Sequence, residues 1–178
     1  MNDHLRCANC SLEYPIYEQR YRCVCGGTLD VQRDLDTITL TTDILDQRRN
    51  SSDPLDRSGV WRFRELILPL EDRALRSAVV SRGEGNTHLY DASTIGASLG
   101  LDRLWLKHEG ENPTGSFKDR GMTAGITMAR HFGMNQVACA STGNTSASMA
   151  SYAARSGMGA VVFIPEGKIA YGKLSQAL

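Results

Sequence analysis

The sequence predicts an α/β fold in which helices cover both faces of a parallel sheet, preceded by a small module of the zinc-ribbon type. From Ser81 onward, strand-like apolar runs alternate with helical patterns, which is typical of a parallel sheet covered by helices. Ahead of that region, four of the five cysteines fall within the first 25 residues. By composition the chain therefore divides into a cysteine module at 1–34, a linker with short helices at 35–80, and an α/β region at 81–178.

The amino-terminal module carries two close cysteine pairs, Cys7 with Cys10 and Cys23 with Cys25. Four thiolates at this spacing can complete a tetrahedral zinc site. Because sulfur would occupy all four positions around the metal, we expect the zinc to be structural and not catalytic. The second pair has one intervening residue where two are usual, so a metal-free remnant of such a module stays an alternative.

The linker contains one polar stretch and one apolar one. Residues Gln47 to Pro54 are polar and are predicted to form a loop. The following segment, Trp61 to Leu68, is predicted to be a short helix that packs through Trp61, Phe63 and Leu66.

The α/β region shows a regular order of elements. Gly133 and Gly157 stand where helix carboxyl ends are expected. Ligands of open sheets collect at the carboxyl ends of strands, so the loops after Lys107, Ala140 and Ile164 are candidate ligand sites. The predicted elements are a strand at Leu104–Lys107, a helix at Ser116–Phe132, a strand at Gln136–Ala140, a helix at Asn144–Ser156, a strand at Ala160–Ile164 and the start of a helix at Ile169–Leu178.

The loop after the first of these strands delivers a lysine, Lys118, into the first turn of a helix. The positive pole of the helix dipole lies at that end, so partial desolvation there favours the neutral amine, which is the form that condenses with an aldehyde. The alternative is a solvated lysine on a helix surface. The next two residues, Asp119 and Arg120, are interpreted as a local surface pair.

The loop after the Gln136–Ala140 strand, Ser141-Thr-Gly-Asn-Thr-Ser146, opens the next helix. Its hydroxyl groups, its glycine and the free amides of a helix start together make a seat for a carboxylate or phosphate. The alternative is an ordinary helix N-cap made by Asn144 or Thr145.

Both loops resemble those of a known enzyme family. The run Asn112-Pro-Thr-Gly-Ser-Phe-Lys-Asp-Arg-Gly121 is similar to the lysine motif of the fold-type-II pyridoxal-phosphate enzymes, and the longer run from Leu106 resembles that of threonine synthases. The segment Gly83–Leu89 also resembles a loop of this family, with His88 where proline is more frequent. The resemblance implies that Lys118 holds pyridoxal phosphate as a Schiff base. It further implies that Asn144 contacts the phenolic oxygen of the cofactor, and that the substrate α-carboxylate is bound by Ser141, Thr142 and Thr145.

The resemblance also implies a reaction, the conversion of O-phospho-L-homoserine and water to L-threonine and phosphate by a carbon-oxygen lyase. Cysteate synthase and other β-replacement or dehydratase relatives share both loops and stay alternatives. The resemblance starts near Gly59 and covers the front half of such an enzyme, so 81–178 is interpreted as a partial catalytic domain. The glycine-rich loop that binds the cofactor phosphate is not found before Leu178. An inactive zinc-bearing fragment is therefore a further alternative, and we expect weak or absent activity from these residues alone.

The bulk composition favours a small-molecule partner. Lysine plus arginine equals aspartate plus glutamate at 20 each, so there is no basic field for nucleic acid or an anionic membrane. No apolar run has the length of a signal peptide or a membrane span, and we expect a cytoplasmic protein. The sequence leaves open whether the chain forms a homo-oligomer.

Overall fold

A computed structural model describes residues 3–68 and 70–164. The chain forms two compact units, Met1–Thr42 and Asp43–Leu178. The helix predicted at Ile169–Leu178 and the strand-end loop after Ile164 lie outside the described residues.

The first unit is a three-stranded antiparallel sheet. Its strands are β1 (His4–Cys7), β2 (Glu13–Pro15) and β3 (Leu29–Gln32), with β1 in the centre. Among its described residues only Cys7 and Cys23 are buried, so the interior of this unit consists of thiols and not of a hydrophobic cluster.

The second unit begins with short helices. Asp53 caps one of them, since its carboxylate accepts from Leu55 N at 2.9 Å and Pro54 occupies the first turn. These helices are α1 (Thr42–Arg49), α2 (Pro54–Arg57), α3 (Arg64–Ile67) and α4 (Asp72–Ala78), with a 3₁₀ turn at Trp61–Phe63 before α3.

The linker prediction was correct in part. Trp61 is fully buried, and its Nε1 donates to Thr123 Oγ1 at 2.8 Å. The prediction for Leu66 was wrong, because this side chain is 48% exposed on the single turn of α3. The loop predicted from Gln47 was also wrong at its start, since α1 continues to Arg49.

Strand β5 (Trp105–Lys107) falls inside the predicted strand but pairs differently from the prediction. It lies antiparallel to β4 (Leu89–Asp91), with Leu89 opposite Lys107. The bond from Ala92 N to Leu104 O, at 3.0 Å, extends this pairing. The connecting helix α5 (Ser93–Ser98) therefore closes a hairpin-like pair and does not cross over to a parallel neighbour.

The remaining elements confirm the predicted alternation. They are α6 (Lys118–His131), β6 (Gln136–Ala140), α7 (Asn144–Ser156) and β7 (Gly159–Phe163). Strands β6 and β7 pair in parallel. The helices end as predicted, because Gly133 and Gly157 take the left-handed conformation at φ +70° and +76°.

A hydrophobic core joins these last elements. Ile126 of α6 packs with Met149 and Tyr152 of α7, and Val137 and Val162 contact this cluster from β6 and β7. The described residues thus form a mixed α/β unit with one parallel strand pair, while a parallel sheet covered on both faces stays a prediction. None of the described helices combines the length and apolar character needed to cross a bilayer.

Candidate active site

Lys118 is the first residue of α6 and follows a tight loop. Gly115 has φ +74° and its N–H donates to Asn112 O at 2.7 Å, a turn that favours glycine. Ser116 Oγ then accepts from Lys118 N at 3.2 Å. The Lys118 side chain is half-buried, and its Nζ lies 4.5 Å from the centroid of the Phe117 ring. The loop therefore holds an amine at the start of a helix, close to a flat apolar surface.

Asp119 holds this loop in place from inside. Its exposed fraction is 0%, and it accepts from Thr114 N at 2.7 Å and from Thr114 Oγ1 at 2.6 Å. Ser148 Oγ of α7 donates to the same carboxylate at 2.5 Å. The interpretation of Asp119 and Arg120 as a surface pair was wrong, because each of these side chains has other partners. Asp119 lies in the first turn of α6, where the helix dipole favours a carboxylate. This position is a sequence signal for a structural role of Asp119 that the surface-pair interpretation did not use.

Arg120 is bound to Glu109 instead. Its Nε and one terminal nitrogen each donate to the carboxylate at 2.7 Å, and Thr87 Oγ1 adds a bond at 2.9 Å. The Arg120 guanidinium lowers the pKa of Glu109 to about 2. Asn112 connects the same loop to its neighbour, since its Oδ1 accepts from Gly85 N at 2.9 Å. The lysine loop is thereby fixed to the segment Gly83–Leu89.

Replacing Glu109 by glutamine should destabilise the chain in a pH-dependent way. A glutamine side chain cannot accept two charge-assisted bonds from Arg120, so at pH 7 we expect the free energy of unfolding to fall by about 1–2 kcal/mol. The folded pKa of about 2 lies below the unfolded value of 4.5, so the stabilisation is present above pH 4.5 and is lost as the pH falls towards 2. Urea unfolding at pH 7 and at pH 2 measures the loss of unfolding free energy and its dependence on pH. Asp102→Asn, at an exposed position, serves as control. An equal loss of unfolding free energy in Glu109→Gln at both pH values would contradict the expectation.

A second buried carboxylate, Glu84, lies in the segment Gly83–Leu89. It is fully buried and accepts from Ser58 Oγ at 2.6 Å, from Ser81 Oγ at 2.9 Å and from the Tyr152 hydroxyl at 2.7 Å. Burial, together with the bond to Glu84, raises the pKa of Tyr152 well above its usual range. Because Tyr152 belongs to α7, this bond ties the segment to that helix. A lone glutamate in a glycine-rich loop gave no sequence signal for this role.

The predicted anion seat forms the start of α7. Gly143 is the residue before the helix, and no side chain caps it, so the alternative of capping by Asn144 or Thr145 is wrong. Ser141 Oγ accepts from Gly143 N at 3.2 Å, and the amides of Ser146 and Ala147 donate to Gly143 O, so the amides of Asn144 and Thr145 are the ones open to a ligand. Asn144 is exposed, whereas Ser141, Thr142 and Thr145 are half-buried. Such a helix start suits a carboxylate or phosphate.

The two loops belong to neighbouring helices. Helices α6 and α7 pack along each other, and a hydrogen bond from Ser148 to Asp119 joins them. Asp119 is the residue after Lys118, and Ser148 lies one helical turn after Asn144. Within the described part of the chain, the Lys118 amine makes no hydrogen bond with Asn144 or with Ser141, Thr142 or Thr145. The geometry thus offers a half-buried amine and an uncapped helix start on adjacent elements.

The four predicted metal ligands come together in the first unit. The Sγ atoms of Cys7, Cys10, Cys23 and Cys25 all lie within 4.8 Å of one another. Cys7 Sγ is 3.5 Å from Cys25 Sγ, and Cys10 Sγ is 3.5 Å from Cys23 Sγ. The four residues are free thiols, so this group could hold a metal ion.

Polar groups surround these thiols. Asn9 N donates to Cys7 Sγ at 3.3 Å. The Tyr14 hydroxyl lies 3.0 Å from Cys23 Sγ, and this bond lowers the pKa of the Cys23 thiol to about 6. A Cβ on Gly27 would come within 2.8 Å of Cys7 Sγ, so glycine is needed there.

Comparison with known proteins places these features in a family. A family model described as pyridoxal-phosphate dependent enzyme matches residues 80–177. The chain belongs to this family. The sequence of this pyridoxal-phosphate-dependent family member is 46% identical to a threonine synthase of Methanocaldococcus jannaschii, over 97% of this chain and 40% of the relative. It is also 46% identical to a threonine synthase of Methanosarcina acetivorans, over 98% of this chain and 40% of the relative.

The resemblance to threonine synthases is therefore confirmed. A threonine synthase of a Bacillus species is 57% identical over 56% of this chain and 28% of the relative. The chain spans about 40% of the length of the first two relatives. The residues present fit the aldehyde group of the cofactor of the pyridoxal-phosphate-dependent family, since Lys118 offers a half-buried amine at the start of α6.

Proposed function

We propose that the protein containing this chain converts O-phospho-L-homoserine and water to L-threonine and phosphate with pyridoxal phosphate as cofactor. The observation that carries the proposal is the placement of Lys118 at the start of α6, joined through Asp119 to the uncapped helix α7, in a chain 46% identical to threonine synthases. A cytoplasmic location fits this proposal and stays a prediction.

Each site residue has a role under this proposal. Lys118 holds the cofactor through its amine and, once the substrate amine replaces it, moves protons at the α and β carbons of the substrate. When bound, pyridoxal phosphate supplies an electron sink for the negative charge that develops at these carbons. Asn144 contacts the phenolic oxygen of the cofactor. Ser141, Thr142 and Thr145, together with the first amides of α7, bind the substrate α-carboxylate.

The experiment has a binding arm and a turnover arm. Pyridoxal phosphate is added to the 178-residue chain, the adduct is reduced with borohydride, and peptide mapping locates it. An adduct at Lys118 supports the proposal, whereas no adduct there would favour an inactive zinc-bearing fragment.

Turnover is then measured with O-phospho-L-homoserine, phosphoserine, serine and threonine. The assay uses this chain together with a separately expressed polypeptide that covers the part of the Methanocaldococcus jannaschii relative beyond the match. Threonine and phosphate released only from O-phospho-L-homoserine would support the proposal. Activity only with phosphoserine would assign the chain to a cysteate-synthase-like enzyme, and activity only with serine or threonine to a dehydratase.

We also propose that residues 1–34 form a zinc-ribbon-like module in which Cys7, Cys10, Cys23 and Cys25 bind one structural Zn²⁺. The first unit has only two buried side chains among its described residues, and both are cysteines. Three short strands without a hydrophobic cluster cannot offset the entropy of folding. A metal ion bound by four thiolates would supply that stability.

Replacing Cys10 by serine should remove this ion. We expect about one zinc per purified wild-type chain and a marked loss in Cys10→Ser, because a serine hydroxyl is a poor ligand for zinc at neutral pH. Elemental analysis and a chelator titration measure the content. Cys139→Ser is the matched control, since this cysteine lies in β6 and should leave the zinc content unchanged. Equal zinc content in wild type and Cys10→Ser would rule out the four-thiolate site.

A further inference from the structure

A cavity of about 530 Å³ opens on the second unit. It is lined by Lys107 and Arg120, which flank the lysine loop in the sequence, but by no residue of Asn112–Lys118 or Ser141–Ser146. We call it the cationic pocket. Four of the side chains that line it are cations, and no carboxylate lines it. Its lining residues are Arg49, Gly59, Arg62, Phe63, Asn86, Thr87, Lys107 and Arg120.

Three of the four cations have no carboxylate partner among the described residues. Arg120 is neutralised by Glu109, but Arg49, Arg62 and Lys107 form no ion pair there. Neighbouring arginines behave differently. Arg48 binds Glu65, and Arg64 binds Asp56 at 2.6 Å. The cationic pocket therefore brings together three side chains whose positive charge no carboxylate of the described residues neutralises.

Hydrogen bonds to the backbone position two of these cations, Arg62 and Lys107. Arg48 Nη1 donates to Arg62 O at 2.6 Å, which holds the end of α1, with Arg49, against the Trp61–Phe63 turn. Arg62 Nε donates to Asp56 O at 3.2 Å, so its two terminal nitrogens stay available. Lys107 Nζ donates to the Thr87 carbonyl. A ligand entering the pocket would thus meet two cations, Arg62 and Lys107, that hydrogen bonds already hold in place.

The floor of the pocket is close-packed backbone. A Cβ on Gly59 would lie 2.2 Å from Asn86 N, so only glycine fits. Asn86 itself has φ +53°, a conformation that non-glycine residues adopt uncommonly, and its side-chain amide donates to Arg57 O at 2.7 Å. Sparsely populated backbone conformations of this kind cluster at ligand sites.

We propose that the cationic pocket binds a phosphate group, either inorganic phosphate or a phosphate monoester. Two guanidinium groups and one ammonium group match the charge and the acceptor oxygens of a phosphate dianion. This is a second anion site, because no residue of Asn112–Lys118 or Ser141–Ser146 lines the pocket. The proposal does not depend on the cofactor or on the reaction proposed above.

The test is calorimetric titration of the 178-residue chain with inorganic phosphate at constant ionic strength. We expect binding to weaken about tenfold in Arg62→Gln and further in the double variant Arg49→Gln/Arg62→Gln, since each change removes charge-assisted bonds. Arg62→Lys keeps the charge and should recover part of the affinity. Arg73→Gln removes an exposed arginine from α4 and is the matched control.

Further arms separate the ligand sources and the two anion sites. Lys118→Ala should leave phosphate affinity unchanged, because Lys118 does not line the pocket. Tighter binding of O-phospho-L-homoserine or phosphoserine than of inorganic phosphate, if it is lost in the double variant Arg49→Gln/Arg62→Gln, would indicate that the ligand of this pocket is a monoester. Circular dichroism checks that each variant is folded. Wild-type phosphate affinity in a folded double variant, or an equal loss in Arg73→Gln, would overturn the proposal.

Discussion

Replacing Lys118 by alanine is expected to abolish the borohydride-stable adduct with pyridoxal phosphate and to lower turnover of O-phospho-L-homoserine by at least about a thousandfold. The reason is chemical, because alanine removes the amine that would both hold the cofactor and move protons on the substrate. Lys118 lies at the start of α6 with a half-buried side chain, so the substitution should leave the fold intact. Mass spectrometry after reduction measures the adduct.

The control for this variant is Lys107→Ala, which removes a lysine from β5 and should keep the adduct. Lys118→Arg adds a second comparison, since it preserves the positive charge but cannot condense with the aldehyde. An undiminished adduct in Lys118→Ala would move the cofactor to another lysine and would remove the basis of the proposed function.

Asp119→Ala should cause the largest loss of stability among the substitutions considered. The buried carboxylate accepts three hydrogen bonds, from Thr114 N, Thr114 Oγ1 and Ser148 Oγ. Removing it leaves buried donors without partners, and we expect the free energy of unfolding to fall by about 3 kcal/mol. Adduct formation at Lys118 should also slow, because the preceding loop loses its anchor. Urea unfolding followed by circular dichroism gives the first quantity and the rate of absorbance change gives the second.

Ser148→Ala provides a graded comparison for Asp119→Ala. It removes one of the three bonds and leaves Thr114 in place, so a loss of about 1 kcal/mol is expected. A free energy of unfolding for Asp119→Ala within about 0.5 kcal/mol of the wild-type value, as is typical of exposed positions, would show that this carboxylate does not anchor the loop.

Local signals were enough to predict the last four elements. The bounds of α7 and β6 match the prediction residue for residue, because a glycine ends the helix and a β-rich apolar run defines the strand. The same kind of signal marked Lys118 and the loop around Asn144, where a glycine-bearing turn precedes each helix.

The contacts that join distant segments could not be predicted from the sequence. Strand β5 was predicted, but its antiparallel partner β4 depends on how α5 returns the chain. The burial of Asp119 depends on Ser148, 29 positions later. Glu84 is satisfied by Tyr152, 68 positions away. Hydrophobic periodicity and short motifs carry no information about such pairs, so the buried hydrogen bonds of Asp119 and Glu84 could not be predicted.

Helix α7 holds the two fully buried carboxylates of the described residues, Asp119 and Glu84, with one face. Ser148 and Tyr152 are four residues apart, so they project from the same side of the helix, the first towards the lysine loop and the second towards the Gly83–Leu89 segment. The helix therefore fixes the spacing between the lysine loop and the Gly83–Leu89 segment. A shift or tilt of α7 would displace both segments together. If the amino end of α7 binds the substrate as proposed, we expect a change of substrate preference there to require compensating changes near Thr114 and Ser81.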